Sequence, residues 1–355
     1  MNIPLVNSMK NLFPLFLIVT FIACNDKTNA PDVSGIKVEL KVERFEQDFF
    51  AIDSNATKHG LSQLQQKYPT FLPLFINHVL GLGPVVDSNS LAFEGSKRFL
   101  HLNKPVYDAS QKLYKNFSST TDELTNGFRY VKHYFPSYQI PTIITTVGPM
   151  DALAPMSNNE PSPNYLGENF LAIGLQFYLG KDYSIYNDQG FISSIAPQYR
   201  SRRFSKEFMA SDVFALVIDD LYPDSSKRYP LIERFVEKGK RLYLLNQFLP
   251  NSNDTLLIGY TGKQLEWCKD NERSVYNFFI QQNLLYEIDP ARVQNFITDG
   301  PTTQGMPEQS PGNIGAFLGW EIVRSYMKKN PAVTLPQLMK TSNKTIFNES
   351  DYKPH

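Results

Sequence analysis

The sequence predicts an α+β fold, predominantly α-helical, with a small sheet in the N-terminal half and a C-terminal helical bundle. Three observations carry this. Segments with strand-like patterns all fall before residue 180, and helical periods dominate after residue 204. Hydrophobic residues make up 42% of the 355-residue chain and aromatics 13%, enough apolar material for one large core or two modest ones.

The first residues set the compartment. Lys10 is the only charge ahead of the run Leu12 to Ala23, in which Thr20 is the one plainly polar residue. Twelve residues of helix rise about 18 Å, well short of the roughly 30 Å hydrocarbon core, so the run suits a signal-peptide h-region and not a membrane span. It ends in Phe21-Ile22-Ala23-Cys24, a small residue before a cysteine. This is the lipobox arrangement, in which residues 1–23 are removed and Cys24 is acylated (palmitate) as the mature N-terminus. Met9-Lys10-Asn11 makes a better signal-peptide start than Met1, so either methionine stands as the start. Removing residues 1–23 leaves one more acidic than basic side chain, since the 35 basic residues lose Lys10 and the 35 acidic ones lose none. A near-neutral chain offers no footprint for nucleic acid and no polybasic membrane signal, and multiple acyl chains suffice for stable anchoring. Apart from Cys24 only Cys268 remains, so no intramolecular disulfide is expected and stability must come from packing.

Residues 24–35 read as a lipid-anchored linker, Asn25 to Ser34 being mostly polar, and 36–355 as a single globular domain. Ile36 to Glu43 alternates apolar and charged residues, which predicts a half-buried strand. Helices are predicted at about 59–68, 104–116 and 121–135, the last with a capping box from Ser119 and Asp122. Thr142 to Val147 is β-branched and Phe170 to Tyr178 alternates, so both read as strands; Met150 to Glu168, with its prolines, reads as a long loop. Further helices are predicted at 204–221, 226–248, 262–283, 310–329 and 334–341.

The helix at 310–329 is the most informative. Gly312, Gly315 and Gly319 fall within about 60° of one another in the middle of its apolar side. Each costs roughly 1 kcal/mol relative to Ala in a helix interior, so three on a buried face imply another backbone approaching too closely for a side chain. Membrane-helix dimerisation is the sharper reading of such spacing, but Glu321, Arg324 and Lys328 on the opposite side favour packing inside a soluble core, with Glu321 and Arg324 as a rim pair.

No residue set announces catalysis. The five histidines, His59, His78, His101, His133 and His355, have no metal-ligand spacing, and nucleophile-elbow, phosphate-loop and dinucleotide motifs are absent from the sequence. Asp219-Asp220 and the pair Glu233 and Glu237 are read as solvated helix surface among Arg234, Lys238, Lys240 and Arg241. Cys268 has no partner histidine in its neighbourhood of sequence and is read as a buried, inert thiol.

Several stretches together resemble the GldB family of gliding-motility lipoproteins. They are Lys41 to Phe50, Tyr130 to Pro136, Ile173 to Asp182, Ile258 to Thr261 with Gln264 to Trp267, Ser310 to Gly315 with Gly319 to Met327, and Tyr352 to Pro354. The resemblance implies a cell-envelope lipoprotein needed for gliding, acting with other envelope proteins of a motility and secretion machinery; the anchor is expected in the inner or the outer membrane, with the domain in the periplasm. It implies no catalytic residues, no metal and no cofactor. Met150–Glu168 and Gly300–Gln309 depart from the family pattern. A fainter likeness is to zincin-type metallopeptidases, a degenerate member of which would place Glu237-Lys238-Gly239 on its second helix. The candidate first helix, Ser211 to Tyr222, has no histidine, so zinc hydrolysis lacks its nitrogen ligands there. An envelope metallopeptidase with unorthodox ligands is the alternative function, and glycan capture on exposed aromatics a third.

Overall fold

The computed structural model describes residues 30–86 and 90–355; the expected leader 1–23 and the expected acylation site Cys24 lie outside the described residues. In chain order the elements are β1 (Val42–Glu43), α1 (Phe45–Phe50), α2 (Thr57–Lys67), α3 (Phe71–Leu74) continuing as a π-turn, α4 (Ser90–Tyr114) and α5 (Ser118–Tyr134). The sheet region follows with β2 (Thr142–Thr146), β3 (Ala154–Pro155), β4 (Pro161–Ser162), β5 (Asn164–Leu166) and β6 (Phe170–Gly174). The helical half comprises α6 (Gln189–Ser194), α7 (Gln198–Ser201), α8 (Met209–Leu221), α9 (Leu231–Phe248), α10 (Asp254–Ile258) and α11 (Gly262–Asp270). It closes with α12 (Glu272–Gln281), α13 (Pro290–Ile297), α14 (Ile314–Lys329), α15 (Leu335–Lys340) and α16 (Asn343–Glu349). The fold is α+β and predominantly helical, with its sheet in the N-terminal half.

The main sheet has the order β1-β2-β6-β5, with β1, β2 and β6 parallel and β5 antiparallel to β6. A parallel sheet buries both faces, and the side chains of β2 and β6 divide accordingly. Ile143, Leu171 and Ile173 join the large core of the helical half, whereas Ile144, Phe170 and Ala172 join a second, aromatic core. That second core stacks Phe45, Phe49, Phe71 and Phe75 from α1, α3 and the π-turn, with ring centroids 4.8–6.0 Å apart. Burial of both faces fits the composition of these strands: β6 is Phe-Leu-Ala-Ile-Gly, fully buried, and β2 is Thr-Ile-Ile-Thr-Thr, β-branched and buried from Ile143 onward.

The large core is organised by the crossing of α9 and α14. A Cβ placed on Gly319 would lie 1.7 Å from the Phe235 carbonyl oxygen, and one on Gly239 would lie 2.0 Å from the Gly319 oxygen. The two helices therefore touch backbone to backbone. A Cβ on Gly315 would meet the Phe235 ring at 2.2 Å and the Phe296 oxygen at 2.9 Å, and one on Gly312 the backbone of Gly300 at 2.3 Å. On the opposite side Arg324 pairs with Glu321 at 2.8 Å and Asp254 at 3.1 Å, and stacks over Trp320.

Several sequence expectations need correction. The strand at Ile36 to Glu43 is hydrogen-bonded as a strand only over Val42–Glu43. The linker is docked from Ala30 onward, with Val33 buried in the core. α4 begins at Ser90, fourteen residues before the expected start and running through Pro105, whose presence mimics a helix beginning. α5 has no capping box from Ser119 and Asp122; it starts at Ser118 and its N-cap position is Phe117. β6 ends at Gly174 and turns into a short 3-10 segment, Leu175–Phe177. Met150 to Glu168 carries the β3–β4 hairpin and β5 in place of a plain loop. The helix expected at 262–283 is two, broken at Asn271.

Candidate functional site

A cavity of about 200 Å³ lies where β4 and the segment before it, the α7–α8 region, α9, α10, Asp299 and the start of α14 converge. It is a cleft partly open to solvent and not an enclosed void. Its apolar wall includes Phe204, Phe208, Ile218, Leu242, Leu245 and Leu257. Charged groups gather on the remainder: Arg200, Arg203, Asp212, Asp299, Glu160, Lys238 and Arg241.

Most of these charges answer one another. Lys238 Nζ reaches Glu160 Oε1 at 2.8 Å, tying α9 to the β3–β4 hairpin. Arg241 donates to Asp219 Oδ1 at 2.9 Å and to the Tyr222 carbonyl at 2.8 Å, and Asp219 also accepts from Ser157 N and Oγ. Arg203 is ion-paired with Asp299. Burial would raise the Asp299 carboxyl, but Arg203 and Arg200 outweigh it and hold the group below its ordinary value. The neighbouring Arg202 donates to the Gly259 carbonyl at 2.6 Å, and a Cβ on Gly259 would lie 2.6 Å from Arg203 Nη1. Gly259 also has φ +78°, so both its left-handed backbone and the passage of Arg203 exclude a side chain.

Asp212, on α8, behaves differently. It accepts one hydrogen bond, from Tyr178 Oη at 2.9 Å, and that hydroxyl in turn accepts from Asn164 Nδ2 at 2.8 Å. Burial raises its carboxyl to about 6, with Arg203 and the Tyr178 hydroxyl opposing the shift. Perturbed carboxyls in a cavity are where ligand chemistry concentrates.

The acidic pairs expected on a solvated helix surface are placed otherwise. Asp219 and Glu237 have side chains only 15% and 11% exposed and sit in an ion-pair network with Lys240 and Arg241, closed by Asn343 donating to Glu237. The physical reason is that α9 is packed on several sides, so its charges must pair internally. Asp220 is exposed and Glu233 half-buried. Cys268 is fully buried, and burial pushes its thiol up. All five histidines are exposed and none lines the cavity. Among the described residues no group of three His, Cys, Asp or Glu side chains is placed to hold a metal ion, and no helix is long and apolar enough to cross a membrane.

The sequence reading missed Arg200, Arg203, Asp212 and Asp299. One signal was available: Tyr199-Arg-Ser-Arg-Arg-Phe204 puts three arginines between aromatics. Such a run, folded inward, demands buried counter-charges.

A family model described as gliding motility protein GldB matches residues 26–354. The chain belongs to the GldB family. The match spans both cores, the charged cavity and the α9–α14 crossing, and it associates the chain with gliding motility. No curated protein and no solved structure matches the chain. The carrying stretches named above fall on structural joints of this GldB chain: Ser310 to Met327 forms α14 and its entry, and Ile258 to Thr261 carries Gly259.

Proposed function

We propose that the chain is a lipid-anchored, non-catalytic interaction component of the gliding-motility machinery, held at the cell envelope through Cys24 and acting by gripping other envelope proteins. The single observation that carries this reading is the GldB family match over nearly the whole chain. The lipobox at Ala23-Cys24 supports the anchor. Among the lining residues the cavity serines, Ser162 and Ser211, have no histidine or cysteine beside them. Ser211 Oγ is itself committed to the Phe208 carbonyl at 2.9 Å.

Fractionation and crosslinking test the reading together. Wild-type protein is expected in the membrane fraction and crosslinked in intact cells to other envelope proteins; Cys24→Ala is expected in the soluble fraction with the crosslinks lost. A Cys24→Ala protein that stays membrane-bound overturns the anchor. The alternative, an envelope metallopeptidase with unorthodox ligands, is separated by elemental analysis: stoichiometric zinc with chelator-sensitive proteolysis would establish it.

A further inference from the structure

The cavity has hydrogen-bonding capacity that the ion pairs around it leave unused. Arg203 is joined to Asp299, Lys238 to Glu160 and Arg241 to Asp219, but Arg200 approaches the shared Asp299 oxygen only to 3.7 Å. That is an ion-pair contact beyond hydrogen-bond reach. Its guanidinium makes no hydrogen bond among the described residues, although the side chain is only 19% exposed. Two arginines thus share one carboxylate, and one planar donor fork is uncommitted. On another wall, Asn313 enters α14 with φ +58° and its side chain does not cap the helix. Its Oδ1 is a buried acceptor without a partner among the described residues. Asp212 uses a single acceptor position, for Tyr178. The open valences are therefore one charged bidentate donor together with acceptors, set beside an apolar wall.

We propose that this cavity binds a small apolar molecule bearing a free carboxylate and an adjacent N–H, the chemistry of one hydrophobic amino-acid residue at a chain end or as a free N-acyl derivative. Arg200 takes the carboxylate as a bidentate pair, the geometry for which a guanidinium is suited. The Asn313 amide, whose Oδ1 is closed off in this structure, turns to present that oxygen to the N–H. The hydrocarbon lies against Leu242, Leu245 and Leu257. The cleft, about 200 Å³ and open on one side, has room for a side chain of leucine size. An anion with no N–H leaves Asn313 unsatisfied, and a cation meets the uncommitted arginine.

Titration calorimetry on the detergent-solubilised mature protein decides it, with N-acetyl-leucine, N-acetyl-leucinamide and 4-methylpentanoate as probes. N-acetyl-leucine is expected to bind saturably, with the amide and 4-methylpentanoate each weaker by about 10-fold or more. Arg200→Gln is expected to lose the preference of acid over amide. Ala215→Leu, filling the cavity from α8, is expected to abolish binding of all three while circular dichroism reports an unchanged fold. The tripeptide Ala-Ala-Leu distinguishes the source: tighter binding than N-acetyl-leucine assigns a peptide C-terminus, and equal or weaker binding assigns the free derivative, each in keeping with the proposal. Equal affinity for acid and amide, or absence of saturable binding by every probe at millimolar concentration, overturns it. Those results leave the anchored role in gliding untouched, because that role is read by fractionation and crosslinking.

Discussion

Replacing Gly319 by alanine adds one methyl group where α14 meets α9. The new Cβ would stand 1.7 Å from the Phe235 carbonyl oxygen, 2.4 Å from its carbon and 3.2 Å from Gly239 N. A carbon–oxygen contact settles at about 3.3 Å or more, so the helices must part by roughly 1.5 Å. The obstacle is backbone, which cannot rotate away as a side chain does. Parting the helices loosens contacts of Phe235, Val236, Ile322 and Val323, all buried, and a gap of 0.5–1 Å already forfeits about a quarter to a half of each dispersion contact. Alanine returns about 1 kcal/mol of helix propensity, against an overpacking cost that here exceeds the usual 1–3 kcal/mol. The net expectation is a loss of about 3 kcal/mol or more, a fall in Tm on the order of 4–5 °C or more. Gly262→Ala is the internal control. At the first position of α11 its Cβ would meet nothing within 4 Å, so a change within about 1 kcal/mol is expected. Calorimetric or circular-dichroism melting measures both. A Gly319→Ala protein that melts within a degree or two of wild type would refute the backbone-contact reasoning.

Other expectations follow from the cavity and the core. Asp212 has a folded-state value of about 6 against an ordinary 3.8, so the native chain holds more protons than the unfolded one between these values. Stability linked to this group is therefore present below about pH 4 and is lost as pH rises through 6, by up to about 3 kcal/mol. Asp212→Asn keeps an acceptor for Tyr178, so it is expected to be more stable than wild type at pH 7 and equal near pH 4 in urea titrations; a variant less stable at pH 7 sinks this. Cys268 is expected to resist a thiol reagent in native protein and to react fully on denaturation, and rapid native labelling would contradict its burial. Arg203→Met leaves Asp299 with Arg200 at 3.7 Å as its remaining ion-pair partner and is expected to cost about 3–5 kcal/mol, read by urea unfolding; a loss under 1 kcal/mol would show that the pair is not enclosed.

How far the fold is legible in the sequence depends on how local its causes are. β2 and β6 are legible because burial on both faces fills them with Ile, Thr, Phe and Leu. In the helical half α8, α9, α14 and α15 are legible from their period, whereas the break at Asn271 and the short helices α6, α7, α10, α13 and α16 are not. The first half of α4 is hidden by Pro105, which inside a helix looks like a start. The segment Phe71–Val79 is hidden because Pro73 and the π-turn break the 3.6 period. The glycine face of α14 shows that something must approach; that it is Gly239 and Phe235 of α9, some eighty residues earlier, needs the folded chain. The cavity was the least legible part for the same reason. Its charges come from residues 160, 200–212, 238–241 and 299, and each looks like ordinary surface charge until folding turns it inward.

The anchored, gripping role in gliding is tested most directly by spreading on agar. A strain lacking the gene is expected to form non-spreading colonies, wild-type protein to restore spreading, and Cys24→Ala protein at equal abundance to fail. A deletion strain that spreads like its parent would contradict the proposed role at its root.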